Sequence, residues 1–575
     1  MATTDFTKVL IKDDRIANLT DSVKYAVIKG GQNITSAAYT AQSATNSAHT
    51  YAVQVPSEQV IISREVMWSA TITFQITGVP ADGDYLVNYG TTDAFAPFPF
   101  NQMVETCAST INNNTVSLNV KDIIAPILRL HDNRELSRYN GLTPTMVDTF
   151  KHYDDAVGLN NNPLGSYGGS VDNDLMPRGA FNIQSIVGNT IQAGGGAAAG
   201  TLKTVYITVK ITEPLLSSPW LFANPQENNQ GFYGIQNLSF QFNLDATCRR
   251  AWRTSVVVPQ YNVQVQGQAG TSGWADCKLI FTYISPHPSD LLPSRNVVPY
   301  YNLERYIYNQ YDVLNHNSRT AIQSPTLQLN SIPDRIFVVA RKRMTTQTYT
   351  DTDSFLVIEG ISINFNNSSG LGSSFTQQDL YKMSVRNGVN QSWQEFSGYA
   401  NGAMAAGALT HIPTSGSVLC LEFGTDIQLS EDYLSQGSLG SYQLSLRVNV
   451  LNQDIDGNAG ANDYIPELMI ITQTSGIMCN EKGTCSTFLG LLTKSDVLEA
   501  STQQPYSRSH VKRLVGGGFF DSLKSIAGKV LPKVLELAPL AKGMLGNMDN
   551  KVAQAASGAL GALGYGKRNI QSRIQ

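Results

Sequence analysis

The sequence predicts a mainly β chain: two consecutive β-sandwiches and a short amphipathic helical C-terminal tail. Three observations carry that reading. Apolar and polar residues alternate in run after run, the runs fall into two sets parted by a proline-rich crossing, and the last segment changes to helical spacing behind a row of glycines.

The clearest run is Val66, Trp68, Ala70, Ile72, Phe74 and Ile76, interleaved with Met67, Ser69, Thr71, Thr73, Gln75 and Thr77 and stopped by Gly78. Successive side chains of a strand point to opposite faces, so this pattern describes a strand with one buried face. The signature returns at Val205–Val209, Leu238–Phe242, Ile336–Ala340, Ile361–Phe365, Leu444–Val448 and Leu468–Ile471. These strands form one set from about residue 50 to 285 and a second from about 295 to 480. Between them lies SPHPSDLLPSRNVVPYYN, suited to a link between domains. Helical signals are few. Val120–Leu130 has apolar spacing but holds Pro126 and is expected to be kinked or broken, and Gln378–Val385 supports one or two turns. Residues 158–200 are rich in Gly, Asn and Ala and end in AGGGAAAG, as a long surface loop would.

Of the 575 residues only 15% are charged, against roughly 25% in an average domain, which suits wide neutral surfaces that pack against other protein. The net charge of −4 is uneven. Residues 518–575 carry eight Lys/Arg and three acids, so +5, which leaves −9 for the rest. The N-terminal stretch balances Lys8, Lys12 and Arg15 against Asp5, Asp13 and Asp14, so it forms no basic arm for nucleic acid, and no specific nucleic-acid binding is predicted. Six scattered cysteines (Cys107, Cys248, Cys277, Cys420, Cys479, Cys485) do not make a disulfide scaffold. Cys479 and Cys485 flank a turn-like NEKGT and could bridge, but free thiols in a reducing compartment fit better. MATTDFTKVLIKDD lacks a signal-peptide core and no run of about 18 apolar residues exists, so synthesis in the cytosol is expected.

No enzyme constellation is present. The histidines (His49, His131, His152, His287, His316, His411, His510) are dispersed, and neither a metalloprotease helix, a nucleophile elbow nor a phosphate loop occurs, so no catalytic residue, metal or cofactor is assigned. Arg249, Arg250 and Arg253 beside Trp252 read as a solvated strand end or an interface rim. Asp454-Ile455-Asp456-Gly457-Asn458 lacks the closing glutamate of a calcium loop and reads as a polar turn.

An ordered set of motifs points further. It runs from Lys29-Gly30-Gly31-Gln32 through Glu213-Pro214-Leu215-Leu216-Ser217-Ser218-Pro219-Trp220 to Val298-Pro299-Tyr300-Tyr301 and Glu304-Arg305-Tyr306. It continues with Asn330-Ser331-Ile332-Pro333-Asp334-Arg335-Ile336, Ile363-Asn364-Phe365-Asn366-Asn367 and Asp379-Leu380-Tyr381-Lys382-Met383-Ser384. In order and spacing these resemble the double jelly-roll major capsid proteins of the Polinton, adintovirus and virophage group, over roughly residues 25–475. The resemblance implies two jelly rolls in one chain, three chains in a pseudo-hexameric capsomer, and an icosahedral shell. Its expected partners are the homotrimer, neighbouring capsomers, and penton and minor capsid proteins, and its place is the virion. The expected division is an N-terminal arm at 1–49, a first jelly roll at 50–290, a second at 291–505, a glycine-rich hinge at 506–517 and a cationic tail at 518–575. Two alternatives remain open at this stage: a single jelly-roll capsid protein with a projecting domain, and a glycan-binding β-sandwich protein suggested by long loops and 25 tyrosines.

In the tail, Phe519, Leu523, Ile526, Val530, Val534 and Leu537 fall on one face of a helical wheel, with Lys524, Ser525, Gly528, Lys529 and Glu536 opposite or at the margin. That describes an interfacial cationic helix, with Pro532 and Pro539 kinking or splitting it. Ahead of it, Leu514-Val515-Gly516-Gly517-Gly518 fits the hydrophobic-x-Gly-Gly-x pattern of adenovirus-like maturation proteases, which viruses of this group often encode. Ile28-Lys29-Gly30-Gly31-Gln32 fits it too but precedes strand-like sequence, and a site between a body and a tail is the cleavable one. The tail is therefore expected to be released for membrane contact, or to tether the shell to an internal partner, or to pack as a structural helix.

Overall fold

The computed structural model describes residues 34–490, apart from 90–91, 152–182, 193–199, 217–218, 221–230, 256–257, 286–295, 311, 406–407, 430–433 and 455–462. Eight antiparallel strands build the first sandwich: Ile34–Thr40, Ala48–Gln54, Met67–Gly78, Val104–Ile111, Asn114–Leu118, Lys203–Pro214, Asn237–Leu244 and Trp274–Ile284. One sheet takes them in the order first, eighth, third, sixth, and the other in the order second, seventh, fourth, fifth. The second sandwich uses Asn296–Asn309, Arg319–Gln323, Arg335–Lys342, Val357–Phe365, Ser368–Leu371, Leu419–Glu422, Leu439–Leu451 and Pro466–Glu481. Its two sheets repeat the same two orders. This eight-strand order is the jelly roll, and it occurs twice. A single jelly roll with a projecting domain is thereby excluded.

The first sandwich extends back to Ile34, inside the segment expected as an arm. Ile34–Thr40 pairs with Trp274–Ile284 along its whole length, although ITSAAYT offers too little apolar alternation to announce a strand. The Met67–Gly78 strand behaves as its pattern predicts. Trp68, Ala70, Ile72, Phe74 and Ile76 are fully buried, while Thr71, Thr73, Gln75 and Thr77 are half-buried. Its polar face zips to Lys203–Pro214 through Ser69–Thr212 at 2.8 Å and Thr73–Thr208 at 3.0 Å. A side chain at Gly78 would meet Leu86 at 2.8 Å and Val258 at 2.9 Å, which is why the strand closes on glycine.

Two stretches differ from a half-buried strand. In Arg335–Lys342, Ile336, Val338 and Ala340 enter the second sandwich's core, while Phe337 and Val339 join the core cluster of the first. Pro466–Glu481 does the same, with Leu468 and Ile470 facing one way and Met469 and Ile471 the other. This sheet is covered on both faces, which explains why its strands read as continuous apolar runs.

The stretch from Val120 forms an unbroken helix, Val120–Leu128, rather than a broken one. Pro126 lies in its last turn, so only the Asp122 carbonyl is denied a helical donor. The other expected helix spans Gln377–Arg386 and opens with a reciprocal cap between Thr376 and Asp379. Among the described part of the 158–200 segment, Ile183–Val187 adds an outer strand beside Lys203–Pro214.

The two ends of the sandwiches differ. At one end lie the tight turn after Ile111, paired to Asn114, and the hairpin of Pro466–Glu481 with Thr484–Leu489. There Asn112 and Asn113 hold the hairpin tip through Thr484 at 3.3 Å and Cys485 at 2.7 Å. The last described residue, Gly490, lies at the same end, packed against Ser331, Gly437 and Leu439. The longest connection of the first sandwich, from Leu118 to Lys203, leaves from the opposite end. The six cysteines are buried and form no disulfide, and Cys479 and Cys485 face Ser486 and Asn480 across the hairpin.

His49 is buried in the first core, against Trp274 at 4.3 Å, Phe100 at 6.0 Å and Trp68 at 6.3 Å between ring centres. Burial lowers its pKa from 6.5 to about 4, and a hydrogen bond involving the Thr45 backbone offsets only part of that. The fold therefore favours the neutral ring, so stability from this residue is complete above pH 6.5 and is lost as pH falls to about 4. Urea unfolding across that range is expected to show a loss of about 3 kcal/mol in wild type that His49→Leu lacks.

Candidate functional site

In a chain of two sandwiches the functional geometry is whatever fixes them against one another and whatever they leave exposed. The cleavage candidates Leu514, Gly516, Gly517 and Gly518 and the face Phe519, Leu523, Ile526, Val530, Val534 and Leu537 lie outside the described residues.

The seam is built around Asp353, which precedes the strand Val357–Phe365 and is buried. One carboxylate oxygen accepts from Arg250 at 3.2 Å and Arg253 at 3.0 Å, and the other from Gln102 at 2.7 Å. Arg129, just past the helix Val120–Leu128, donates to the Asp353 carbonyl at 2.8 Å and to the Asp148 carbonyl at 2.9 Å. The Asp148 carboxylate in turn accepts the Asp353 N–H at 2.8 Å. Thus a residue of the second sandwich is held by five side chains of the first, all of them buried. Arg250 and Arg253 are consequently not a solvated strand end: they are 4% and 3% exposed. Their partner lies a hundred residues further along the chain, beyond the reach of local sequence reading.

Burial pushes the Asp353 carboxyl up, but Arg250, Arg253 and Arg129 outweigh it and hold the group at about 2. The same burial lowers Arg250 and Arg129, which Asp353 and their other acidic neighbours only partly restore. A second ionic joint lies nearby. Asp122, on the helix Val120–Leu128, pairs with Arg341 at 2.7 Å and Arg305 at 2.6 Å, and Arg341 also binds Glu467 at 2.6 Å. Burial lowers Arg341, but Glu467 and Asp122 more than compensate and raise it.

A third joint is a strap. Phe150 bridges to Thr414, Ser415 donates to the Thr149 carbonyl at 2.9 Å, and Lys151 donates to the Pro413 carbonyl at 3.1 Å. Asp454, expected in a polar turn, is instead 2% exposed and pairs with Lys151 at 2.7 Å. Residues 455–458 of that stretch lie outside the described residues.

With two jelly rolls fixed this way, known proteins supply the assignment. Residues 4–284 match the family model of the Sputnik virophage major capsid protein first domain, and residues 303–476 match that of the major capsid protein V20 C-terminal domain. The chain belongs to the virophage double jelly-roll major capsid proteins. Capsid protein V20 of Sputnik virophage is 25% identical over 98% of this chain and 94% of its own length. Among solved structures, the Sputnik virophage particle shares the fold with a TM-score of 0.73 at 24% identity, over 88% of this chain and 98% of that one. The mavirus major capsid protein does so with a TM-score of 0.65 at 17% identity, over 88% and 100%. The family is structural rather than enzymatic.

Three of the motifs that carried the family resemblance supply polar contacts that hold this capsid fold. Glu213 is buried and accepts from the backbone of Phe100 and Asn101, each at 3.0 Å, and from Thr143 at 3.0 Å. Burial lifts its carboxyl to about 7 despite those donors. Arg305 reaches Asp122, and Asp334 receives the Ser475 hydroxyl. Sequence reading missed Arg129, Asp353, Asp122 and Arg341. The available signal was a charge set inside or beside an apolar run in a chain poor in charge.

An exposed apolar rim completes the surface. Gln192 and Gly83 bond reciprocally to Asp84 and Gln192, Asn189 clasps Val87, and Lys203 reaches Thr190. These bonds bring Tyr85, Val187, Ile191 and Leu202, each 42–51% exposed, to one end of the first sandwich. Beside them Ile183–Val187 is an edge strand with exposed side chains on both faces.

Removing the seam carboxylate leaves buried arginines facing one another. Asp353→Asn is expected to cost about 3–5 kcal/mol and, by calorimetry, to split one unfolding transition into two. For wild type, the depressed carboxyl gives stability that is present above the ordinary carboxylate range and lost as pH falls towards about 2.

Proposed function

We propose that the chain builds an icosahedral shell as a trimeric, pseudo-hexameric capsomer. The observation that carries this reading is the doubled strand order held in one orientation by a buried ionic seam. Six similar sandwiches then present a near-hexagonal outline while only three chains fold, and closed rotational symmetry satisfies each interface. The neighbours in such a shell are further capsomers, penton proteins and minor capsid proteins. The apolar rim supports subunit contact. An edge strand with exposed Ile186 and Val187 is a liability in a free chain and an asset once a second copy covers it.

Light scattering of the purified chain is expected to give a trimer, and electron microscopy a hexagonal footprint. A monomer at high concentration would count against the reading. Val187→Asp with Ile191→Lys is expected to weaken trimers by roughly tenfold or more, about 1.4 kcal/mol, while circular dichroism stays unchanged.

For the tail we propose cleavage after Gly517 by a maturation protease and release of residues 518–575 as a membrane-active segment. The Gly516-Gly517-Gly518 hinge ahead of an amphipathic +5 segment supports this. Mass spectrometry of purified particles is expected to find a fragment beginning at Gly518, and a synthetic 518–545 peptide to leak liposomes, an effect lost with Phe519→Asp. Intact chains in infectious particles would favour the second reading, in which the tail tethers the shell to an internal partner.

A further inference from the structure

We propose that Lys151 and Asn452 form an intramolecular isopeptide bond, with Asp454 carrying the proton, so that the strap from the first sandwich is stapled covalently to the second. The four groups that such a reaction requires converge in one buried site. The Lys151 ammonium nitrogen lies 2.7 Å from the Asn452 side-chain oxygen and 2.7 Å from an Asp454 carboxylate oxygen. The first contact sets Nζ against the oxygen of the carboxamide whose carbon it would attack. The Asn452 oxygen is also approached by the Asp454 backbone N–H at 3.3 Å and by the Tyr464 hydroxyl at 3.5 Å. Two donors on a carbonyl oxygen are what a tetrahedral intermediate needs. Lys151, Asn452 and Asp454 are 5%, 0% and 2% exposed, so water does not compete.

Burial is also what makes the amine reactive. It drives the lysine down from its ordinary value, against the pull of Asp454, and the Lys151 nitrogen sits 5.1 Å from the Tyr464 ring centre. A neutral amine beside a protonated carboxyl is the reacting pair. Nζ attacks Cγ of Asn452 and the new C–N bond forms as the carbonyl pair moves onto Oδ1, held by the Asp454 N–H and Tyr464. Asp454 passes the amine's proton to the side-chain nitrogen, the Cγ–Nδ2 bond breaks, and ammonia leaves. Lysine plus carboxamide gives a secondary amide plus ammonia, with no oxidant and no energy donor.

The staple would serve a chain whose six cysteines form no disulfide. It joins residues far apart in sequence and, like a disulfide closing a long loop, restricts the unfolded chain, yet it needs no oxidising compartment.

Peptide mapping of the purified full chain tests this. Trypsin is expected to yield a branched peptide joining the Lys151 and Asn452 segments, lighter than their sum by one ammonia. Lys151→Arg and Asp454→Asn are each expected to return linear peptides, with Lys151→Arg lowering the melting temperature. Linear Lys151 and Asn452 peptides from wild-type trimers would overturn the proposal, and that readout does not depend on any variant folding. A branch to Asp454 with loss of water would overturn the assignment of Asn452 as acceptor, and a bond persisting in Asp454→Asn would overturn the proton relay.

Discussion

One buried carboxylate holds the architecture in register. Asp353 stands where the second sandwich meets the first and takes Arg250, Arg253 and Gln102 on its side chain and Arg129 on its backbone. Without those donors it could not stay ionised at its depth, and without it the arginines would be stranded. The apolar part of the seam is larger in area but less particular. Phe337, Val339, Met469 and Ile471 would bury equally well after a small slide. Charged groups with fixed hydrogen-bond directions do not tolerate such a slide. Area supplies the attraction and the ionic joints choose the orientation.

That division of labour suits the proposed capsomer, in which two sandwiches of one chain would stand as neighbouring corners of a hexagon. A flexible hinge between them would let each chain adopt many angles, and the lattice would have to select one at an entropic cost for every subunit. Here the angle is set during folding. The strap through Phe150, the joint at Asp122 and the hairpin tip at Thr484 brace the same seam at separate points, so rotation about any one is opposed by the others.

Much of the fold was legible because alternation is a local signal. Trp68 through Ile76 gave away a strand and its buried face without reference to any partner. The two-sandwich reading followed from the grouping of such strands. Less was legible where a residue's meaning depends on a distant one. Arg253 looks like a surface cation until Asp353 is placed beside it, and Asp454 looks like a turn residue until Lys151 arrives. Pro126 argued against a helix by propensity, but the helix around it lies buried in the seam, and packing outweighed the missing bond. Ile34–Thr40 was invisible for the opposite reason, since it is held by backbone pairing on a sheet edge and carries little apolar character of its own.

The unlike ends of the two sandwiches give the chain a polarity. The span between Leu118 and Lys203 departs from one end, while the described chain finishes at Gly490 at the other, among Ser331, Gly437 and Leu439. In a wall built of such subunits these two ends would fall on opposite faces. The Leu118–Lys203 connection and the chain that follows Gly490 can therefore change in length independently of one another.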